Sequence, residues 1–118
     1  MGLGVDDEVA LVADAEDIRQ SIIIILETEP GERVMRPDFG AGLRRLLFEP
    51  INTSTLTLVQ YRVEQALTRF EPRIDVQQVL VSAQDASQGI LAIEIDYTIR
   101  ATNTFYNLVY PFYLQEGR

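Results

Sequence analysis

LAIEIDYTIR, residues 91–100, alternates large apolar residues with small or polar ones over its whole length. An alternation with a period of two is typical of a β-strand that has one face buried. The face expected to be buried carries Leu91, Ile93, Ile95, Tyr97 and Ile99. The opposite face is expected to lie in water or to be shared with a partner.

Two more strands are predicted, one on either side of this one in the chain. Residues 75–83 form the strand before it and residues 107–114 the strand after it, across turns at 84–89 and 101–104. Pro111 has no N–H to donate to a neighbouring strand, so the last strand is expected to have a free edge. The C-terminal half is therefore predicted to be a three-stranded antiparallel meander.

Upstream of the strands, helical spacing replaces the alternation. Apolar residues three and four positions apart predict an amphipathic helix, which Asn52 or Thr53 can cap and which ends before Pro72. Its apolar stripe comprises Leu56, Val59, Val63, Ala66, Leu67 and Phe70. The helix is expected to cover one face of the sheet.

A second main helix is predicted over residues 15–27, with Asp14 as its N-cap and isoleucines at helical spacing. Residues 43–47 suggest a short helix, and residues 9–12 could add a short strand. The fold class is then α+β: two main helices and a short helix packed on one face of a small antiparallel sheet. Residues 1–8 are expected to be a flexible N-terminus and residues 9–118 a single domain.

The composition excludes several kinds of site. The 118 residues include no cysteine and no histidine, which rules out disulfides, Cys or His metal ligands, and nucleophiles activated by histidine. A net charge of -8 opposes binding to nucleic acid or to an anionic membrane. No apolar run approaches the roughly 20 residues that span a bilayer. We therefore expect no metal, no cofactor, no nucleic acid and no membrane insertion.

EPGERVMRPDFGAGLRRLLFEP, residues 29–50, fits neither a helix nor a flexible linker. Pro37, Gly40 and Gly42 would break a helix, and the apolar content is too high for a linker. The stretch is expected to be an ordered, irregular connection, and connections of this kind often carry function in small domains.

Carboxylates near predicted turns offer one possible chemistry. A glycoside hydrolase needs two carboxyl groups facing each other across a cleft. The candidates are Glu27, Glu29, Glu32, Asp38, Glu49 and Glu71. None is flanked by the apolar sequence that would build a pocket around a general acid. A catalytic pair is therefore only weakly indicated.

Glu71-Pro72-Arg73 lies at the junction between the amphipathic helix and the first strand. The two charged residues could pair with a partner protein, or with other charged groups of the fold such as Arg44, Arg45 and Arg69. They could also be solvated charges where a helix stops and a strand starts. The sequence chemistry alone leaves these alternatives open.

FYNLVYPFY, residues 105–113, could provide aromatic rings for stacking on nucleic acid, but the acidic charge opposes that role. A strand with alternate residues in the core explains the pattern better. Val109 and Tyr113 are then unusually apolar for a solvated face. A free apolar edge is an aggregation hazard unless it is covered, and an added partner strand would cover it.

Four blocks of sequence, in this order, resemble the GPW or gene-product-25-like family of baseplate wedge proteins from contractile phage tails. The blocks are GERVMRPDFG at 31–40, LFEP at 47–50, EPRI at 71–74, and NLVYPF at 107–112 preceded by Asn103. The family includes the E subunit of type VI secretion baseplates. The resemblance runs from about Val9 to Leu114, and its details are most similar to phage-like extracellular contractile injection systems.

The resemblance implies a structural, non-enzymatic subunit, present in six copies around a baseplate that assembles in the cytoplasm as part of a phage tail-like particle. Glu71, Pro72 and Arg73 would dock on a helical core bundle of larger wedge subunits. An edge formed by Asn107, Leu108, Val109, Tyr110, Pro111 and Phe112 would accept strands of the sheath protein and so initiate the sheath. The tube-proximal hub is a further implied partner.

A structural role is implied for the motif residues Gly31, Glu32, Arg33, Pro37, Phe39 and Gly40. Arg73→Ala is expected to leave the domain folded and to prevent its incorporation into the baseplate. Two other functions stay open. One is a lysozyme-like glycoside hydrolase, a label that some family members carry, and the other is a small interaction module in an unrelated complex.

Overall fold

Two helices cover one face of a three-stranded antiparallel sheet with the strand order β1-β2-β3. A computed structural model describes residues 5–48, 50–83, 87 and 89–113, with the backbone alone for 5–13, 47 and 48. The elements are α1 (Val5–Glu27), a 3₁₀ helix (Arg45–Phe48), α2 (Thr53–Phe70), β1 (Ile74–Ser82), β2 (Ile90–Ile99) and β3 (Thr104–Tyr113). The predicted α+β class, with helices followed by a meander, is confirmed.

The central strand β2 carries the core of the sheet. Its alternating apolar residues, from Leu91 to Ile99, are each at most 5% exposed, as predicted. Ile95 pairs with Val79 of β1 on one side and with Leu108 of β3 on the other, so all three side chains point into the same core. Each fully buried residue of this size contributes about 1.5–3 kcal/mol of hydrophobic stabilisation.

The helix α2 forms where its sequence pattern predicts it. Asn52 is the N-cap, because its side-chain oxygen accepts a hydrogen bond from the backbone N–H of Thr55 at 3.0 Å. Val59, Val63 and Leu67 are fully buried on one stripe that faces the sheet. The helix ends at Phe70, shortly before the proline that cannot continue it.

The helix α1 differs from its prediction at the N-terminal end. It begins at Val5, so Asp14 is an interior residue and not the N-cap, and residues 9–12 are helical and not a strand. Residues 5–13 contain no glycine or proline and several good helix formers, which outweigh a short apolar alternation. Residues 1–4 lie outside the described part of the chain, and the flexibility of residues 1–8 stays a prediction.

The strand β3 starts at Thr104, three residues earlier than predicted. Asn103, just before it, has φ 55°, a left-handed conformation that asparagine tolerates and that makes the preceding turn tight. Among the described residues β3 pairs only with β2 and lies at an edge of the sheet, as the proline at position 111 predicts. Leu114, Glu49 and most of the 84–89 turn lie outside the described residues.

The connection between α1 and the 3₁₀ helix is ordered and packs into the core, as predicted. Its backbone returns to the end of α1, where the N–H of Ala41 donates to the carbonyl of Ile25 at 3.0 Å. Ala41 and Leu43 are buried in the core. Gly40 makes the close approach possible: a Cβ at this position would lie 2.3 Å from the carbonyl oxygen of Thr28.

Candidate docking surfaces

Glu71 ends α2 and holds a buried carboxylate, with only 2% of the residue exposed. Arg73 donates to this carboxylate through Nε at 2.7 Å, through Nη2 at 2.8 Å and through its backbone N–H at 3.2 Å. The hydroxyl of Ser21 in α1 also acts on this carboxylate and helps to lower its pKa. The Glu71 carboxylate is therefore saturated by groups of its own chain.

Arg73 connects several elements while staying half-exposed. Its Nη1 donates to Asp17 of α1 at 2.9 Å, and its backbone carbonyl accepts from the N–H of Arg100, beside the end of β2, at 2.9 Å. A guanidinium has five N–H groups, and three of those in Arg73 donate to the described carboxylates. The guanidinium is thus fixed in orientation, with donors left over for a partner.

The charged pair of Glu71 and Arg73 is stabilised electrostatically. Burial raises the pKa of Glu71, but the hydrogen bonds from Arg73 and Ser21 and the positive charge of Arg73 outweigh it, so this pKa lies below its ordinary value. Hydrogen bonds to Glu71 and Asp17 raise the pKa of Arg73. A glycosidase general acid needs a raised pKa, so Glu71 is unsuited to that role.

Acid is expected to destabilise the protein through Glu71. Because the folded-state pKa of Glu71 is lowered, its contribution to stability is fully present above the unfolded-state pKa of about 4.3 and is lost as the pH falls from there through the folded-state value. Denaturant unfolding between pH 7 and pH 3 measures this loss. The matched control is Glu71→Leu/Arg73→Met, which lacks the pair. Equal losses in both proteins would contradict the assignment.

A cavity of about 260 Å³ opens beside Arg73. Ala15 and Ile18 of α1 and Ile99 of β2 give it apolar walls, while Arg73 provides a guanidinium. Tyr106 of β3 closes another side and stacks on Tyr97, with ring centroids 5.8 Å apart. Asp14 also lines the cavity. The cavity therefore suits an apolar side chain that lies next to a hydrogen-bond acceptor for Arg73.

The predicted sheath-binding residues of β3 divide between the two faces of the sheet. Leu108 and Phe112 are buried, and Tyr110 is half-buried and donates its hydroxyl to Glu27 of α1. These three belong to the core side, where burial and the hydrogen bond raise the pKa of Tyr110. Asn107, Val109 and Pro111 are exposed on the open face of the sheet.

The open face is apolar along β3 and acidic at its centre. Phe105 and Tyr113 are 59% and 67% exposed, and Val109 between them is 55% exposed. The side-chain amide of Asn107 donates to Glu94 at 2.9 Å and to Asp96 at 2.5 Å. Among the described residues β3 pairs only with β2, so its outer backbone edge lies beside these exposed side chains.

The motif residues between 31 and 40 contact one another and the end of α2. The N–H of Gly31 donates to the carbonyl of Pro37 at 2.6 Å, and Glu32 accepts from the backbone N–H of Glu29 at 3.0 Å. The Arg33 guanidinium lies 4.9 Å from the ring centroid of Phe39. These contacts order the loop, and the structural role of the motif stays a prediction.

Two residues that contact the Glu71–Arg73 pair are not predicted from the sequence. Asp17 lies 56 positions before Arg73 in the chain, and Ser21 is one helical turn beyond Asp17. Their spacing indicates a shared helix face, but no local pattern indicates that this face meets the end of α2. Pairing of Glu71 with Arg73 was likewise not among the alternatives that the sequence suggested.

The family model described as Baseplate wedge protein gp25 matches residues 12–104, which is most of the chain. The chain belongs to this family. The match includes the connection with its glycine motif, the amphipathic helix α2 and the Glu71–Arg73 junction. The family resemblance inferred from the sequence is thereby confirmed.

Two curated relatives of this gp25-family chain are baseplate proteins. It is 32% identical over 82 residues to baseplate wedge protein gp25 of Enterobacteria phage T4, covering 70% of this chain and 55% of the relative. It is 35% identical over 68 residues to baseplate protein W of Escherichia phage P2, covering 58% of this chain and 59% of the relative. The chain thus spans a little over half the length of each of these relatives.

Solved structures show the same fold in the gp25-family chain and its relatives. A protein described as a putative tail lysozyme from Geobacter sulfurreducens is 48% identical with a TM-score of 0.83, over 100% of this chain and 99% of that one. A chain of the anti-feeding prophage baseplate is 26% identical with a TM-score of 0.56, over 86% of this chain and 70% of that one. A chain of the post-contraction pyocin R2 baseplate is 28% identical with a TM-score of 0.54, over 83% of each chain.

Neither a membrane-spanning helix nor a metal-binding cluster occurs among the described residues. In that part of the gp25-family chain, no helix is both long enough and apolar enough to cross a bilayer. No group of three or more acidic side chains is placed there to hold a metal ion. The lysozyme description belongs to the Geobacter protein, and the paired, ionised Glu71 gives it no support in this chain.

Proposed function

We propose that the chain is a structural subunit of a contractile, phage tail-like baseplate, which docks on larger wedge subunits and initiates the sheath. Family membership and the likeness to chains from two assembled baseplates support the assembly role. The observation that carries the docking role is the fixed, half-exposed guanidinium of Arg73 beside an apolar cavity. Six copies would surround the tube, near its hub, in a particle assembled in the cytoplasm.

The three junction residues take different roles in this docking. Glu71 is buried and orients Arg73, so it stabilises the surface without touching the partner. Pro72 is exposed and fixes the backbone between them. Arg73 donates its remaining N–H groups to a carboxylate or carbonyl on the helical bundle of the wedge subunits, while the cavity receives an apolar side chain. An arginine held in this way loses little entropy on binding.

Sheath initiation takes place at the outer edge of β3. A strand added there gains main-chain hydrogen bonds, and side-chain contacts on the face set its register. Pro111 has no N–H, so the added strand bonds on either side of it. Val109, Phe105 and Tyr113 are already exposed and would be covered by the incoming strand and its neighbours.

Val109→Asp is expected to reduce sheath assembly on purified baseplates about tenfold, which corresponds to about 1.4 kcal/mol of strand-addition free energy. The new charge would lie opposite Glu94, on the face that the sheath strand must approach. Negative-stain microscopy and sedimentation of sheath protein measure the yield, and circular dichroism confirms the fold of the variant.

Leu80→Asp is the matched control for this experiment. Leu80 is 46% exposed, lies on the other edge strand β1 and also pairs with Glu94. The substitution therefore introduces the same charge in the same row of the sheet. We expect sheath yields within about twofold of the wild type, which corresponds to about 0.4 kcal/mol. Normal sheath on Val109→Asp with none on Leu80→Asp would assign the docking edge to β1.

A further inference from the structure

The middle of the connection between α1 and the 3₁₀ helix forms a tip with two large apolar side chains in water. Val34 is 94% exposed and Met35 is 89% exposed. The backbone around them is closed by hydrogen bonds, from Gly31 N–H to the Pro37 carbonyl at 2.6 Å and from Phe39 N–H to the Arg36 carbonyl at 3.0 Å. An ordered loop that exposes neighbouring apolar residues is typical of an interaction site.

Arginines stacked on two aromatic rings lie beside this tip. Arg33 and Arg36 lie over Phe39, at 4.9 and 5.7 Å from the ring centroid. Arg36 and Arg69 lie over Phe70, at 5.3 and 5.1 Å, and the two rings are 4.9 Å apart. Stacking holds each guanidinium plane and leaves its N–H edges for bidentate bonds to carboxylates. We call these three arginines, two phenylalanines and the tip the arginine–aromatic surface.

The arginine–aromatic surface is positive on a strongly acidic protein. Of the described carboxylates, Asp38 pairs here, with Arg36 at 3.9 Å and with Arg69. Glu32, in the same loop, is directed to Arg44 at 3.8 Å and to the N–H of Glu29. Three guanidinium groups against one carboxylate leave an excess of two positive charges, whereas the chain as a whole carries -8.

We propose that the arginine–aromatic surface is a second docking site, which binds an acidic and apolar segment of another baseplate subunit. Carboxylates of that segment would bind the N–H edges of Arg33, Arg36 and Arg69, and its apolar side chains would cover Val34 and Met35. Charge complementarity selects this occupant: a basic segment would be repelled locally, and a polyanionic nucleic acid would be repelled by the rest of the chain. The inference rests on the proposed baseplate role and adds a partner surface separate from Arg73 and from β3.

A photocrosslinker in place of Met35 tests the proposal in assembled particles. The substitution Met35→benzoylphenylalanine is made in the full chain, and particles are purified and irradiated. We expect a crosslink to a different baseplate subunit, at a peptide in which acidic residues outnumber basic ones and apolar residues are present. The same protein irradiated before assembly should give no such product.

Three outcomes would overturn the proposal: no crosslink in particles that contain the variant, a crosslink to nucleic acid or to a second copy of this chain, or a crosslink to a neutral or basic peptide. Absence of the wild-type chain from the particles would instead contradict the baseplate role itself. The two failures are therefore distinguishable.

A charge reversal within the same crosslinking experiment tests the arginines. Adding Arg36→Glu to the photocrosslinking chain is expected to lower the crosslink yield per incorporated copy at least about tenfold, because Arg36 contacts both aromatic rings. Arg45→Glu changes the net charge equally, is exposed and lies outside the surface, so it should leave the yield within about twofold. Equal losses from the two reversals would contradict a specific arginine–carboxylate contact. Thermal unfolding of both proteins checks that each is folded.

Discussion

Replacing Arg73 with alanine is expected to lower the free energy of unfolding by about 2–5 kcal/mol, because the buried Glu71 carboxylate loses its charged partner. Denaturant unfolding at pH 7 measures the change. This geometry replaces the expectation from the sequence that Arg73→Ala would leave the domain intact. Loss of incorporation in that variant would therefore mix instability with loss of a contact.

Two further variants separate the buried pair from the exposed contact. Asp17→Ala removes a carboxylate whose side chain is 71% exposed, and it should cost less than about 1 kcal/mol. Glu71→Leu/Arg73→Met replaces both partners with apolar side chains of similar size, and its stability should lie within about 1.5 kcal/mol of the wild type. A cost for Arg73→Ala no larger than for Asp17→Ala would contradict the role of the buried pair.

Gly40→Ala is expected to destabilise the domain by about 3–4 kcal/mol. Gly40 has φ +119°, which strains any residue with a side chain, and the added Cβ would lie 2.3 Å from the carbonyl oxygen of Thr28 and 2.7 Å from its carbon. Both contacts are with backbone that also holds the end of α1, so relief requires the connection to move away from the core. Denaturant unfolding measures the loss.

Gly31→Ala is the matched control for the steric part of this effect. Gly31 also has a positive φ, +97°, but a Cβ there would meet nothing within 4 Å. Only the conformational strain remains, about 1–2 kcal/mol. Similar losses in the two variants would show that the approach of Gly40 to Thr28 does not limit the packing of the connection.

The parts of the fold that the sequence predicts well are those with a sustained local period. The alternation of β2 and the three-to-four spacing of α2 each repeat several times, and one face of each is buried, so propensity and burial agree. The sequence predicts the start of α1 ten residues too late, at 15 instead of at Val5. A good capping residue, Asp14, occurs inside a helix whose preceding residues are also good helix formers.

The docking surfaces depend on contacts that no local pattern encodes. The family resemblance implied a docking role for Glu71 and Arg73. Their pairing with each other depends on how α2 turns into β1, and the contact with Asp17 depends on how α1 packs beside that turn. The exposure of Val34 and Met35 is similarly a tertiary result, because the same apolar residues could have joined the core. Long-range packing therefore decides the Glu71–Arg73 pair, its contact with Asp17 and the exposure of the loop tip.

The most direct test of the proposed docking through Arg73 is the incorporation of Glu71→Leu/Arg73→Met into particles, measured by quantitative mass spectrometry against the wild-type chain. This variant is expected to stay folded while it lacks the guanidinium that faces the partner. We predict that a folded double variant is depleted from purified baseplates at least about tenfold, which corresponds to about 1.4 kcal/mol of docking free energy. Incorporation of the folded double variant at the wild-type level would contradict docking through Arg73.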